Sequence, residues 1–388
     1  MSSPTADHPK RRLLFVVNVG WFFVSHRLPL AVAARERGYE VHVAAGIDER
    51  LDQNTRELLA AQGIQLHVLR LSRSSAHPGE LCSVIYDLVR LYRTLRPAII
   101  HLVTLKPLLM GGIAAKLSRF SSVVFAVPGR GSVFSKRGIL PAIRRWCVVS
   151  LYRLAYRPLS NRVIVQNIED RDYFAARGIF PVGDIRLIRG SGVDPTKFAA
   201  MADPGGEAMV ILASRMLKEK GVADFVAAAE RLKGQGVRAR FVLVGEPDDG
   251  NPHSHTTQEL QAWVRGGSVE WWGFRADMST VFAMCHVVCL PTYYGEGVPK
   301  VLIEAAAAGR PIVTTDTPGC RDIVKQDCNG YLVAPRDVNA LASALLKLIG
   351  DRALRMIMGR QGRLRVETEF SLEEVVRQTL NIYGEFAE

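Results

Sequence analysis

Short apolar runs alternate along this chain with longer stretches in which apolar residues recur every three or four positions. In the first half the runs are RLLFVVN (12–18), YEVHVAA (39–45), IQLHVLR (64–70), PAIIHLV (97–103), SVVFAV (122–127), NRVIVQN (161–167) and DIRLIRG (184–190). The pattern restarts at AMVILAS (208–214) and continues through FVLVGE (241–246), SVEWWGF (268–274), HVVCLPT (286–292), RPIVTTD (310–316) and GYLVA (330–334). Segments such as RLPLAVAARERG (27–38) and GELCSVIYDLVRLYRTLR (79–96) carry helical periodicity between them. Such alternation predicts parallel sheets built from βαβ units.

The stretch GSGVDPTKFAAMADPGGE, rich in Gly, Pro and Asp, separates the two series and predicts a linker over 191–207. The expected fold class is α/β: a doubly wound, Rossmann-like domain over 1–190 and a second over 208–370, facing across a cleft. Residues 371–388 are expected as a C-terminal helix crossing back to the first domain. At 388 residues the chain has room for two such cores. The basic KRR at 10–12 before LLFVVNVGWFFV has the order of a signal peptide. Asn18 and Gly20 interrupt the run, no small-x-small site follows, and the continuation suits a first strand. No segment reaches the apolar length of a spanning helix.

Charge changes the picture. The formal net charge is +12, but residues 1–200 hold 29 Lys/Arg against 14 Asp/Glu, while residues 201–388 hold 21 against 24. Between Asp87 and Glu169 there are 14 basic residues and no acidic one. The positive field belongs to the first half, where an anionic partner would approach. The six cysteines form no CxxC pair, which favours a reducing, cytoplasmic setting.

Two carboxylates stand out in EGVPKVLIEAAAAGRPIV. Glu304 lies inside an apolar helical run, eight positions after Glu296. Pro299 suits the first turn of that helix and Gly309 its end. The amides of Gly297 and Val298 then lie near a helix start, where an anion can bind. A glutamate buried among alanines without partners costs several kcal/mol. Vicinal ribose hydroxyls are natural donors to one such carboxylate, and sugar hydroxyls to the other; the bare spacing equally suits two exposed helix charges. Arg215 and Lys220, in SRMLKEKGVADF, follow the first strand of the second domain and can clamp a diphosphate.

Together SRMLKEKGVADF, FVLVGE, WWGFRADM, LPTYYGEGVPKVLIEAAAAGRPIVTTDTPGCRDIV and NGYLVAPRD resemble family 4 of the retaining glycosyltransferases, which have the GT-B fold. VVNVGWFFVSHRLPLAVAARERGYEVHVAAG resembles a bacterial branch that extends undecaprenyl-diphosphate-linked sugars for glycan, capsule or O-antigen assembly. The resemblance implies a nucleotide diphospho-sugar donor, with uridine as the usual base, and a polyprenol-diphosphate-linked saccharide as acceptor. It assigns Arg215 and Lys220 to the diphosphate, Glu304 to the ribose and Glu296 to the transferred sugar. The backbone of Gly297, Val298, Pro299 and Lys300 would close over sugar and phosphate. Main-chain groups near Phe274 and Arg275 would flank the base, and Gly20 and Gly245 would let backbone approach the donor.

The catalytic set implied is Glu296, Arg215 and Lys220. The two cations would stabilise the departing diphosphate, and the acceptor would attack from the face it leaves. A nucleophilic Glu296 is the other route. No metal or cofactor is expected: Asp248, Asp249, His253 and His255 fit a polar loop, and Cys285, His286 and Cys289 a buried strand. Relatives carry His-Gly after a central strand of the first domain, where this chain has Pro128 in FAVPGRGSVF. His26, His101 and Lys106 are candidate substitutes, although each also suits an ordinary structural place. Non-hydrolysing sugar-nucleotide epimerases and a silent sugar-nucleotide-binding protein are the competing classes.

The stretch 138–162 mixes Ile139, Leu140, Trp146, Leu151 and Tyr152 with five arginines and no acid. It is either a domain helix with an arginine-bearing face or a helix lying on an anionic bilayer, and the acid-free window favours the bilayer. This predicts peripheral association with the inner face of the cell membrane. His26, Lys106, Arg130 and Ser132 are the candidate acceptor contacts. Nucleic acid is an unsuited partner, because no recognition motif accompanies the charge.

Overall fold

A computed structural model describes residues 10–46, 52–71, 77–130, 138–156, 160–200 and 202–386. It divides into two compact units, one drawn from Met1–Pro128, Gly138–Ile188 and Val376–Glu388, the other from Gly129–Arg137 and Arg189–Val375.

The first unit is built on a seven-stranded parallel sheet. Its strands are β1 (Arg12–Val19), β2 (Glu40–Gly46), β3 (Gln65–Leu69), β4 (Ile99–Val103), β5 (Val123–Val127), β6 (Asn161–Val165) and β7 (Ile185–Leu187). They lie in the order β3-β2-β1-β4-β5-β6-β7. Leu13 to Val17 of β1, and all of β4 and β5, are buried, as continuous apolar runs between two helical layers require. The order reverses between β1 and β4, which pair through Phe15 and His101. The stretch after KRR is therefore an interior strand of the sheet.

The second unit holds a six-stranded parallel sheet in the order β10-β9-β8-β11-β12-β13. These are β8 (Met209–Ala213), β9 (Arg240–Val244), β10 (Glu270–Trp271), β11 (Val287–Leu290), β12 (Ile312–Thr315) and β13 (Gly330–Val333). Its order reverses between β8 and β11, so the helices that follow these two strands pack on opposite faces of the sheet. One core layer gathers Phe225, Phe241, Leu260 and Leu345, and the other Phe282, Leu302, Ile303 and Phe370. Both sheets match the doubly wound α/β pattern expected from the alternation.

The last helix, Leu372–Gly384, ends within the first unit. Its Tyr383 is fully buried and its hydroxyl lies 2.6 Å from Nδ1 of His101, which is also buried. Burial holds His101 well below its ordinary pKa, so the ring is neutral. Glu385 takes charge-assisted bonds from Arg162 and Arg186 beyond the helix. His101 is thus a core residue and not a contact for a sugar.

Replacing Tyr383 by Phe removes a partner from buried His101. The expected cost is about 1–3 kcal/mol, read as a Tm lower by several degrees. Adding His101→Leu should recover much of that loss, because two apolar groups leave no orphaned polar atom.

Candidate active site

Three loops meet at the carboxyl edge of the second sheet. The first leaves β8 and runs from Ser214 through a tight turn at Lys218–Lys220 to the helix Val222–Gly234. The second leaves β9 at Gly245 and reaches the helix Thr257–Arg265; the third leaves β11 at Pro291 and reaches the helix Lys300–Ala307. Backbone bonds tie the first to the second: Ser214 to Val244 (3.0 Å), Met216 to Glu246 (3.0 Å), Lys218 to His253 (2.9 Å) and His255 to Met216 (2.7 Å). The carbonyl of Glu219 accepts from the Tyr293 amide and the Thr292 hydroxyl, both at 3.0 Å, tying the first to the third.

Two glycines allow this closeness. Gly221 has φ +73°, and a Cβ there would lie 2.1 Å from the carbonyl oxygen of Pro291. Gly245 has φ +131°, and a Cβ there would meet the Ser214 carbonyl oxygen at 1.9 Å. Only glycine fits either place. The Gly245 amide donates to Gly273 and its carbonyl accepts from the Trp271 indole, each at 2.7 Å. Gly245 therefore acts by joining the loops, and both its backbone groups are engaged inside the protein.

The joined loops bring the predicted charges together. The ammonium of Lys220 donates to both oxygens of Glu296 at 2.6 Å, and the Thr292 hydroxyl oxygen lies 3.1 Å from the same carboxylate. The side chains of Lys220 and Glu296 are only 16% and 20% exposed. Arg215 donates through Nη1 to Asp248 at 2.5 Å. The site thus carries two cations, each neutralised by a carboxylate of the protein. A diphosphate is the ligand class that two such cations suit.

Glu304 sits on the helix Lys300–Ala307 among buried Leu302, Ile303, Ala305, Ala306 and Ala307. Pro299 is the residue that caps this helix, one place before the first turn, and Gly309 follows its end with φ +71°. The Glu304 side chain is 13% exposed, and its partner is Lys300, 3.3 Å away. Burial raises its pKa and Lys300 offsets this only in part. An under-solvated carboxylate with acceptor capacity to spare is a receptor for hydroxyl donors.

Phe274 and Arg275 follow Gly273, whose carbonyl accepts from the Gly245 amide. Phe274 is largely exposed, and Arg275 forks onto Asp277 beside the Trp272 ring. In the first unit Gly20 opens the helix Gly20–His26, where a Cβ would lie 2.9 Å from the Thr55 methyl; its close approach is to a side chain. His26 stacks on Phe22 with ring centres 4.3 Å apart. Lys106 begins the helix Leu105–Leu117, and burial lowers its pKa against the pull of Glu80. Arg130 follows β5, and Ser132 lies outside the described residues.

Among the described residues no three His, Cys, Asp or Glu side chains converge as metal ligands. Asp248 is in fact the partner of Arg215, and His253 lies 2.7 Å from Glu219. His286 is engaged by the Met209 amide and the Pro204 carbonyl, and Cys285 and Cys289 are buried. Asp248, Glu219 and Thr292 are the residues that sequence patterning missed. Of these only Thr292, two places after the end of β11, carried a positional signal.

Two family models cover most of the chain. Residues 12–167 match a glycosyl transferase 4-like domain and residues 207–351 match glycosyl transferases group 1. This chain belongs to the group 1, type 4-like glycosyltransferases. The glycosyltransferase is 26% identical, over 90% of its length and 92% of the relative's, to N,N'-diacetylbacillosaminyl-diphospho-undecaprenol alpha-1,3-N-acetylgalactosaminyltransferase of Campylobacter jejuni. It is 24% identical to UDP-Gal:alpha-D-GlcNAc-diphosphoundecaprenol alpha-1,3-galactosyltransferase of Escherichia coli, over 76% of this chain and 78% of that one. Its fold matches that of Anabaena HepE, solved in complex with UDP and glucose, with a TM-score of 0.75 at 19% identity, covering 96% of this chain and 99% of that one.

Glu304→Gln tests the carboxylate's burial. A raised folded-state pKa stabilises the protein only at low pH, and that contribution is lost as pH rises. The glutamine variant should therefore melt above the ligand-free parent at pH 7 to 8. The difference should vanish as pH falls below the ordinary glutamate range near 4.

Proposed function

We propose that this glycosyltransferase moves a hexose or N-acetylhexosamine from a nucleotide diphospho-sugar, a UDP-sugar by default, to a polyprenol-diphosphate-linked saccharide in cell-surface glycan assembly. The observation that carries the donor half is the convergence of Arg215, Lys220, Glu296 and Glu304 on the loops beside the β8/β11 reversal. The printed activities of the Campylobacter and Escherichia relatives, both naming undecaprenol-linked sugars, support the acceptor half.

In this reading Lys220 exchanges Glu296 for phosphate, and Glu296 turns to hydroxyls of the transferred sugar. Glu304 accepts from the ribose. As the bond from the anomeric carbon to the diphosphate oxygen stretches, charge grows on that oxygen, where Arg215 and Lys220 stabilise it. The acceptor oxygen bonds to the anomeric carbon on the face being vacated. Its proton passes to the departing phosphate oxygen, and the configuration is retained. The two side-chain cations supply the positive charge that the leaving group needs, so transfer proceeds without a metal.

The helix Ile139–Tyr156 supports contact with the inner membrane surface. Leu140 is 79% and Trp146 70% exposed, with Ile143, Leu151 and Leu154 also open, beside Arg144, Arg145 and Arg153. Tyr152 faces the other way and is buried against Phe174 and Phe180, so it leaves the expected surface set. Apolar anchors bordered by cations suit the boundary of an anionic bilayer. No helix of the described residues is long and apolar enough to cross a membrane.

Titration with UDP-sugars, followed by transfer to undecaprenyl-diphosphate-linked saccharides, tests the activity. Glu296→Ala should keep nucleotide affinity within about threefold while turnover falls by about a hundredfold or more; an unaltered turnover would remove Glu296 from the transferred-sugar site. Proton NMR of the product should show the donor's anomeric configuration, and epimerised nucleotide without glycolipid would favour the competing class.

Membrane contact is separable from chemistry. Replacing Arg144, Arg145 and Arg153 together by Ala should reduce sedimentation with phosphatidylglycerol vesicles, and salt should release the parent protein from them. Partitioning that is indifferent to both changes would refute the surface assignment.

A further inference from the structure

We propose that Asp248 is a positioning residue that holds the Arg215 guanidinium ready for the donor diphosphate. The inference rests on the donor site described above and adds a residue that the family resemblance did not supply.

Asp248 and Arg215 differ sharply in exposure. The Asp248 side chain is 7% exposed and Arg215 45%. The carboxylate therefore lies on the protein side of the pair, and an incoming anion meets the guanidinium first. One oxygen, Oδ2, accepts from Arg215 Nη1 at 2.5 Å and from the Asn251 amide at 3.0 Å. The Asp248 amide donates to Ser254 at 2.8 Å, and the Asn251 amide returns to the Asp248 carbonyl at 3.0 Å. Ser254 in turn bridges to Leu217, two places after Arg215. The carboxylate is thus fixed by the same backbone ties that fix the base of the arginine.

The two cations of the site are held differently. Lys220 spends its ammonium on both oxygens of Glu296. Arg215 uses Nη1, and its Nε and Nη2 have no partner among the described residues. A guanidinium is planar, so fixing one N–H direction fixes the others. Arg215 can keep Asp248 and still present a second edge to a phosphate. Holding a long side chain in its bound orientation beforehand removes part of the ordering cost of binding. Asp248 would lower affinity by repulsion if it met the ligand directly, but its burial behind the guanidinium argues for orientation.

A double-mutant cycle on UDP binding, by calorimetry, tests this, with ligand-free melting as the control for folding. Asp248→Ala should weaken UDP binding by about tenfold, and Arg215→Ala by at least as much. The double variant should bind no more weakly than Arg215→Ala alone, because Asp248 acts only through the arginine. Asp248→Asn, which keeps an acceptor oxygen, should restore affinity to within about threefold of the parent.

Additive losses would overturn the inference, as would Asp248→Ala binding UDP like the parent while only melting lower. An Asp248→Asn variant that binds UDP more tightly than the parent would show competition in place of positioning, and would overturn it too. If Arg215→Ala itself bound UDP as the parent does, the assignment of Arg215 to the diphosphate would fail, and this inference with it. That last result is distinguishable, because it appears in the arginine arm before Asp248 is altered.

Discussion

Lys220 and Glu296 hold each other at 2.6 Å where the strand order of the second sheet reverses. The pair sets the resting electrostatics of the site. A lysine about five-sixths removed from water, as this one is, would be costly without an anion beside it. The parallel sheet leaves no cheaper arrangement. Its faces are covered by helices, so charges that must meet a ligand gather at the strand ends. Glu296 supplies that anion, and in the proposed reading a diphosphate would replace it and free it for a sugar hydroxyl. One contact thus stabilises the resting site.

Glu304 shows the opposite balance. Its helix is packed for stability on every other face, with five buried apolar residues between Leu302 and Ala307. Lys300 answers part of the carboxylate's charge and burial outweighs it. A protein selected for stability alone would place alanine or glutamine there. The persisting cost is intelligible if a ligand's hydroxyls relieve it, since an unmet acceptor is worth more to a ligand than a satisfied one.

The strands were legible because burial on both faces writes them as continuous apolar runs. β1, β4 and β5 stand out for that reason, while β10, two residues long at a sheet edge, was legible as a run but not in its true extent. The doubly wound class followed from strand–helix alternation, while the strand orders and their reversal points came only with the structure. Glu296, Glu304, Arg215 and Lys220 were legible as a set because their spacing resembles a known motif. Their pairing was not, since Lys220 meets Glu296 across 76 residues through loops whose closeness depends on Gly221 and Gly245. Asp248 was hidden by its surroundings: DDGNPHSH carries turn formers and polar residues, and nothing local marks which one is buried. Tyr152 shows the converse limit. Arginines around it suggested an outer face, but its ring fills a cluster with Phe174 and Phe180 that only tertiary packing defines.

Charge is distributed in two ways that serve different ends. In the second unit nearly equal numbers of acids and bases are paired at short range, as Arg215 with Asp248 and Arg355 with Asp203. Such pairs leave little field beyond a Debye length, so recognition there depends on contact and geometry. The acid-free stretch of the first unit draws its counter-charges from outside itself, as Arg162 does from Glu385, and its helix Ile139–Tyr156 sets apolar side chains among the cations. A surface of that kind attracts an extended anionic partner from a distance and then gains from burying Leu140 and Trp146. In the proposed reading, the same molecule selects a small donor by exchanging internal ion pairs and meets a large acceptor-bearing surface by long-range charge. Neither interaction needs to weaken the other.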